Sequence, residues 1–432
     1  YWWICVATSS DRSKVINLFE YQNKVDFPQG HEGLELFLDE IWNNRETNGY
    51  YFSDDPLVEK NKSQRFLQFL RKTKEVKSNK YVGVILFEDQ KINLLPKIFY
   101  EGEREYSEQE IGGMHQHILW WLSYCRKIKF PNYQTTLGSA KSDFFEVLIY
   151  LFSKYTRELL SNSIYQQYEE IREELPHIKG RLNTQAYITE NVARGQWQKL
   201  QCTYDAFVFD NKFNRIIKYV TNILFHATAE QQNKKHLREI LFILDDVSDE
   251  PATAAECANI QFNPLFAEFE TVRDYCYLFL NNSVSFDYKN KLKLFAFLLP
   301  MEYLFEDFVF GFINKEIPEI NAKAQVGNTH LDVAETFALK PDLMLDLGHK
   351  KIIADCKYKI IYSDSIDPKK GISQPDLYQM VAYAIRFKIS EIVLFYPNTV
   401  QTEELQKMEL IIPDELAGGQ QILIRAYQIP IV

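Results

Sequence analysis

The stretch Lys340–Lys359 (KPDLMLDLGHKKIIADCKYK) constrains the fold more than any other part of the chain. Leu343–Leu347 and Lys351–Lys359 read as strands, and Gly348-His349 between them is a two-residue hairpin loop. Glycine at the first central position suits a type II′ turn, whose twist matches that of the flanking strands. With Leu347 paired to Lys350, the register carries Asp342 to the position opposite Asp355. Side chains alternate along a strand, so Leu343, Leu345, Leu347, Ile352, Ala354 and Cys356 form an apolar core face. Asp342, Met344, Asp346, Lys351, Ile353, Asp355 and Lys357 point the other way. Two carboxylates held directly opposite, about 5 Å apart, repel each other. A hard divalent cation between them reverses the sign, and carboxylate oxygens with waters are the ligands Mg²⁺ prefers. Mn²⁺ is the expected substitute. Lys357, two residues beyond Asp355 on the same face, is placed to orient a water and neutralise charge on a scissile phosphate. The backbone carbonyl of Cys356 is a further candidate ligand. These residue types point to metal-dependent phosphodiester hydrolysis; the competing reading is a salt-bridge ladder on an ordinary hairpin.

The flanking segments extend the pattern. Met301–Ile313 (MEYLFEDFVFGFI) reads as an amphipathic helix carrying Glu302 and Glu306 one turn apart. Downstream, Ser373-x-x-Asp376 has the form of a capping box opening a helix over Asp376–Lys388. Gln379 and Tyr383 are i, i+4 neighbours on that helix, and the β-rich run Glu391–Pro397 follows. Pro341-Asp342 with Asp355-Cys356-Lys357 resembles the P-D-(x)n-[D/E]-x-K pattern of the PD-(D/E)xK nucleases. The order of helix, strands, acidic hairpin, helix and strand is similar to that superfamily's core. Gln379 and Tyr383 resemble the Gln-x-x-x-Tyr element of its RecB-type members.

Elsewhere the 432 residues suggest several domains. Residues 1–135 mix short strands and helices, and Tyr81–Phe87 with Lys91–Phe99 reads as a hairpin. Lys60–Lys80 holds eight basic residues and one acid, Glu75. It reads as a solvated helix face over Phe66, Leu67, Phe69 and Leu70, with phosphate contact as the alternative. Residues 136–290 read as a mostly helical middle domain, with helices over Phe144–Tyr168 and about Asn211–Ala227, the latter N-capped by Asp210. On the second helix Asn211, Asn214, Arg215, Lys218 and Asn222 share one face, suited to DNA backbone, a protein partner or plain hydration. Leu244–Phe262 is a candidate insertion or loop. Residues 291–432 form the third domain. The expected class is therefore a multidomain α+β or α/β protein. It would have an N-terminal mixed α/β domain, a helical middle and a C-terminal restriction-endonuclease-like α/β domain.

Composition excludes several alternatives. The six cysteines are scattered with no Cys-x-x-Cys pair, against a zinc, dithiol or iron–sulfur site. No run of 18 apolar residues occurs, so no membrane span is expected, and a cytoplasmic setting fits. No nucleotide-binding G-x-x-x-x-G-K-[ST] loop is present. The net charge of −10 argues against strong DNA binding by the chain alone.

Across about 300 residues the chain resembles the McrC family, the nuclease subunits of McrBC-type restriction systems. The matching stretches are residues 81–100, Lys179–Leu182, Cys202–Lys218, Leu304–Phe308, Lys340–Leu345, Asp355–Lys359 and Asp376–Ala384. The resemblance implies a Mg²⁺-dependent endodeoxyribonuclease that cuts double-stranded DNA together with a McrB-type AAA+ GTPase ring. It also implies an N-terminal region that docks on the ring and stimulates GTP hydrolysis. By position, Asp342 and Asp355 would be metal ligands and Lys357 the catalytic lysine. Glu306 would be a helix carboxylate at the metal or its water, with Gln379 and Tyr383 as supporting residues. The rival readings are a standalone RecB-like or Cas4-like repair nuclease, and a non-catalytic assembly factor that stimulates the GTPase.

Overall fold

The computed structural model describes residues 14–43, 66–87, 90–125, 144–287, 293–324, 329–361, 369, 372–402, 404–405, 407–413 and 421–431. It gathers into two compact units, one made of residues 1–145 with 281–432, the other of residues 146–280. The sequence suggested three consecutive domains with a boundary at 290/291. Strand pairing instead takes Lys293–Pro300 into the N-terminal sheet, because its apolar run (KLFAFLLP) finds an equally apolar partner in Tyr81–Phe87.

That first sheet has five strands in the order Lys14–Phe19, Gln90–Leu95, Tyr81–Phe87, Lys293–Pro300, Ser283–Asp287. Tyr81–Phe87 and Gln90–Leu95 form the expected hairpin, and the chain then turns through a 3₁₀ helix at Lys97–Phe99. Strand Lys293–Pro300 runs directly into helix Met301–Glu316, with Met301 N–H donating to the Lys80 carbonyl at 3.3 Å. The helix bearing Glu306 therefore starts from the N-terminal sheet. It packs on helix Glu108–Leu122, where Trp121 stacks on Phe308 with centroids 5.3 Å apart. Gly311 allows the backbones to meet at the end of that contact: a Cβ there would stand 1.8 Å from the Tyr124 carbonyl oxygen.

The second sheet has six strands in the order Asn321–Ala324, Leu343–Asp346, Lys351–Cys356, Glu391–Pro397, Gln421–Ile429, Lys407–Pro413. Lys351–Cys356 and Glu391–Pro397 are parallel neighbours joined through helix Gln374–Phe387. A parallel pair needs such a crossover and is covered by it. The helix buries Met380, Tyr383 and Ala384 against Ile353, Ile392, Leu394 and Tyr396.

The basic run at Lys60–Lys80 is not a helix where it is described. Leu67–Leu70 and Glu75–Ser78 form an antiparallel pair flanked by Lys24–Asp26, and Lys74 makes the turn at φ +58°. Phe66, Leu67 and Val76 are buried in the adjoining core, and that packing overrides helix propensity. Lys60, Lys62 and Arg65 lie outside the described residues.

Within residues 146–280 the expected helix over Phe144–Tyr168 stops at Asn162. Gln167–Leu175 (QYEEIREEL) is instead a strand paired along its whole length with Leu200–Val208, so this region is not simply helical. Its glutamates favour helix locally, but the β-rich CTYDAFV segment supplies the ladder and Tyr168 packs on Phe207. The polar stripe is also internal. Asn211, not Asp210, caps helix Lys212–Ala227, its side chain accepting from Asn214 N–H. Asn214 Nδ2 donates to the carbonyls of Tyr165 and Phe209, and Lys218 Nζ donates to Val247 O at 2.6 Å. Asn211, Asn214 and Lys218 are all buried. Asp210 pairs with Arg215 at 2.7 Å and accepts from Ser248, which ties the start of Leu244–Phe262 back to the helix; that segment is not a plain loop, since it holds the short helix Ala254–Ala258 opened by a Thr253–Glu256 capping box.

Candidate functional site

The acidic hairpin forms with the expected register: Leu343 opposes Ala354 and Leu345 opposes Ile352. Leu347 N–H donates to Lys350 O at 2.9 Å. Gly348 has φ +82° and His349 does not share that sign, as a type II′ turn requires. Extending the register by one step places Asp342 opposite Asp355 at the end of the sheet where strand Lys351–Cys356 stops.

At that end the candidate side chains meet. Asp342 Oδ2 accepts the Cys356 N–H at 2.8 Å, so the two strands are joined there by a carboxylate. Asp355 is 1% exposed, and neither of its oxygens has an aligned hydrogen-bond donor. Lys357 Nζ stands 2.5 Å from Asp355 Oδ2, an ion-pair contact, and donates to Gln379 Oε1 at 3.2 Å. Gln379 Nε2 donates to Tyr383 Oη at 2.8 Å, and Tyr383 Oη donates to the Lys340 carbonyl at 3.1 Å. This chain runs from exposed Gln379 to buried Tyr383 and returns to the residues that precede Asp342.

Electrostatics set the protonation preferences. Burial, then the Asp355 and Glu306 carboxylates, pushes Asp342 well above the usual carboxylate range. Burial raises Asp355 as well, against the attraction of Lys357. For Lys357, burial works against the ammonium, but Asp355 outweighs it and holds the group above the ordinary lysine value. Lys357 is therefore a fixed cation and hydrogen-bond donor at neutral pH, not a base. Two buried carboxylates that both resist ionisation are the situation a divalent cation relieves.

Glu306 sits on helix Met301–Glu316, which packs against Asn321–Ala324 and Lys351–Cys356, and its charge is felt at Asp342. The structure thus brings Asp342, Asp355, Lys357, Gln379 and Tyr383 together and sets Glu306 within electrostatic reach. Among the described residues no three His, Cys, Asp or Glu side chains converge as a ready-made metal cage. Mg²⁺ does not require one, since it keeps several waters and takes only one or two protein carboxylates. The Asp355 carboxylate, with Asp342 across from it, fits that requirement. The pairing of Asp376 with Lys359 beside the site was not legible in the sequence. Ser373 caps the helix, but the Asp376 carboxylate does not close a capping box; it accepts from Lys359 Nζ at 2.8 Å and 2.9 Å. The only signal was the repeated lysine in Asp355–Lys359.

No curated protein matches the chain by sequence. Among the solved structures that resemble it are two assemblies. One is a refined half-complex from a tetradecameric assembly of Thermococcus gammatolerans McrB AAA+ hexamers with bound McrC. It matches at 17% identity with a TM-score of 0.66, covering 96% of this chain and 95% of that one. The other, the cryo-EM structure of the Thermococcus gammatolerans McrBC complex, matches at 17% identity with a TM-score of 0.51, covering 70% of this chain and 88% of that one. At such identity the likeness shows the fold, a mixed α/β architecture. No helix among the described residues is long and apolar enough to cross a membrane. The model of the McrBC 5-methylcytosine restriction system component family matches residues 76–397, from the N-terminal sheet through the acidic hairpin to the strand after it, and the chain belongs to that family, as its resemblance to McrC implied.

Proposed function

We propose that this chain is the metal-dependent endonuclease subunit of a McrBC-type, GTP-dependent restriction system. It would cut double-stranded DNA when assembled with a McrB-type AAA+ ring and would stimulate that ring's GTP hydrolysis. The observation that carries the reading is the convergence of Asp342, Asp355 and Lys357 at one sheet end, on a helix–hairpin–helix–strand arrangement like that of PD-(D/E)xK nucleases. Asp342, Asp355 and the Cys356 carbonyl would hold Mg²⁺ or Mn²⁺, with Glu306 at the ion or its water. The ion would supply Lewis-acid activation of water and charge neutralisation at the phosphate. Lys357, kept protonated by Asp355, donates to the phosphate oxygen on which negative charge grows. Gln379 holds the ammonium in place, and Tyr383 holds Gln379.

The charge balance supports a partner. Residues 301–432 carry 13 Lys and Arg against 19 Asp and Glu, so this region attracts DNA weakly. Attachment to a DNA-bound ring supplies the local concentration that charge does not. The Thermococcus gammatolerans assembly of McrB hexamers with bound McrC supports that arrangement.

The test is cleavage of long methylated and unmethylated duplexes with Mg²⁺, with and without the partner GTPase and GTP. Asp355→Ala should abolish cutting and leave partner binding and GTP turnover intact. Digestion without the partner would favour a standalone repair nuclease. Unaltered GTPase stimulation with no cutting by the unmodified chain would favour an assembly factor.

A further inference from the structure

A second polar cluster lies immediately behind the site. Glu20 follows strand Lys14–Phe19, its N–H donates to Leu95 O at 3.0 Å, and its side chain is fully buried. Glu20 Oε2 accepts the Tyr358 hydroxyl at 3.0 Å and the Lys97 N–H at 3.2 Å. Lys97 Nζ donates to the Tyr358 carbonyl at 2.7 Å and lies 4.3 Å over the Tyr358 ring. The same ring meets Trp121 edge-on and packs near Phe305, one residue before Glu306. Tyr358 is thus held by hydroxyl, carbonyl and ring at once.

Its position in the chain gives this clamp a consequence. The strand ends at Cys356, and Lys357 N–H makes one more bond across the sheet, to Phe395 O at 2.8 Å. Beyond that bond the sheet no longer orients the chain. Lys359 N–H then donates back to the Lys357 carbonyl at 2.7 Å, a three-residue turn centred on Tyr358, so holding Tyr358 fixes that turn and with it the backbone that carries the Lys357 side chain. Burying polar side chains here is a poor device for stability alone, since each must be desolvated and apolar side chains of similar volume carry no such cost. Glu20 Oε1 is even left without a donor.

We propose that Glu20, Lys97 and Tyr358 are positioning residues for Lys357, through which the N-terminal sheet sets the geometry of the hydrolytic site. The proposal rests on the nuclease reading above. It makes the N-terminal sheet part of the cutting apparatus, so a displacement of Glu20 or Lys97 reaches the catalytic lysine through one residue.

The experiment uses the full chain with its GTPase partner, GTP, Mg²⁺ and duplex DNA. Tyr358→Phe removes the hydroxyl and keeps the ring. It should slow single-turnover cutting at saturating DNA by about tenfold to a hundredfold, with unchanged DNA affinity and GTP turnover. Hydrogen exchange over residues 355–361 should quicken in the same variant, with the rest of the chain unaffected. Glu20→Leu alone should destabilise the fold by leaving the Tyr358 hydroxyl and the Lys97 N–H without their acceptor, and adding Tyr358→Phe should restore part of that stability without restoring cutting. Cutting that returns together with stability in the double variant would reduce the cluster to a structural pair. Unchanged exchange in Tyr358→Phe would overturn the positioning role even if the unmodified chain fails to cut, a failure that would itself refute the nuclease reading.

Discussion

Gly311→Ala sets two effects of opposite sign against each other. In an open helix interior, alanine is more favourable than glycine by about 1 kcal/mol. Here the added Cβ would stand 1.8 Å from the Tyr124 carbonyl oxygen and 2.7 Å from its carbonyl carbon. A methyl group and a carbonyl oxygen come into contact at roughly 3.3 Å, so helix and turn must separate by about 1.5 Å. Neither obstacle is a flexible side-chain end; both belong to backbone. Overpacking of this kind costs about 1–3 kcal/mol, which outweighs the propensity gain. The displaced helix also carries Glu306, one and a half turns away, and on the proposed role of Glu306 at the ion or its water a shift of an ångström costs up to about a hundredfold in rate. The variant should unfold at lower temperature and cut DNA more slowly by about tenfold or more, while GTPase stimulation persists. Thermal unfolding and single-turnover cleavage measure the two effects. A stability gain near the propensity value, with normal cutting, would refute the close approach of Met301–Glu316 to Tyr124 and the placement of Glu306 that depends on it.

Other outcomes follow from the same geometry. Lys357→Ala should depress cleavage while Mn²⁺ binding, followed by calorimetric titration, persists, because the lysine is no ligand; loss of metal binding would contradict the assignment. Leu345→Ala removes a buried side chain from the hairpin's core face and should cost about 2–5 kcal/mol in a denaturant melt. Glu20 is pushed up to about 7, by burial first, against the pull of Lys97 and the Tyr358 hydroxyl and aided by Glu302. Its stabilising contribution is therefore complete below the ordinary carboxylate range and lost as pH rises through about 7, roughly 3 kcal/mol in all. Glu20→Gln should flatten that part of the stability–pH curve, and an unchanged slope would show that Glu20 is not the titrating group.

How much could be read without the structure depended on the range of the interaction involved. The hairpin register, the Gly348 turn and the i, i+4 placement of Gln379 and Tyr383 are local, and the sequence pattern conveyed each of them. Gln167–Leu175 misled because glutamate prefers helix in isolation, whereas its strand partner lies some thirty residues away. The stripe of Asn211, Asn214 and Lys218 misled for a related reason. Helical periodicity shows that residues share a face but not whether that face meets water or neighbouring carbonyls.

By itself, then, the sequence determined the arrangement at the sheet end: which carboxylates oppose each other, which lysine follows them, and which amide and phenol line the next helix. These depend on strand alternation and helix period, which operate over a few residues. Only the tertiary structure decided that strand Lys293–Pro300 belongs to the N-terminal sheet, that Asp355 is buried enough to resist ionisation, and that Glu20 reaches Tyr358 across 338 positions of chain. Burial and long-range pairing depend on what covers a residue, and no local pattern encodes the cover.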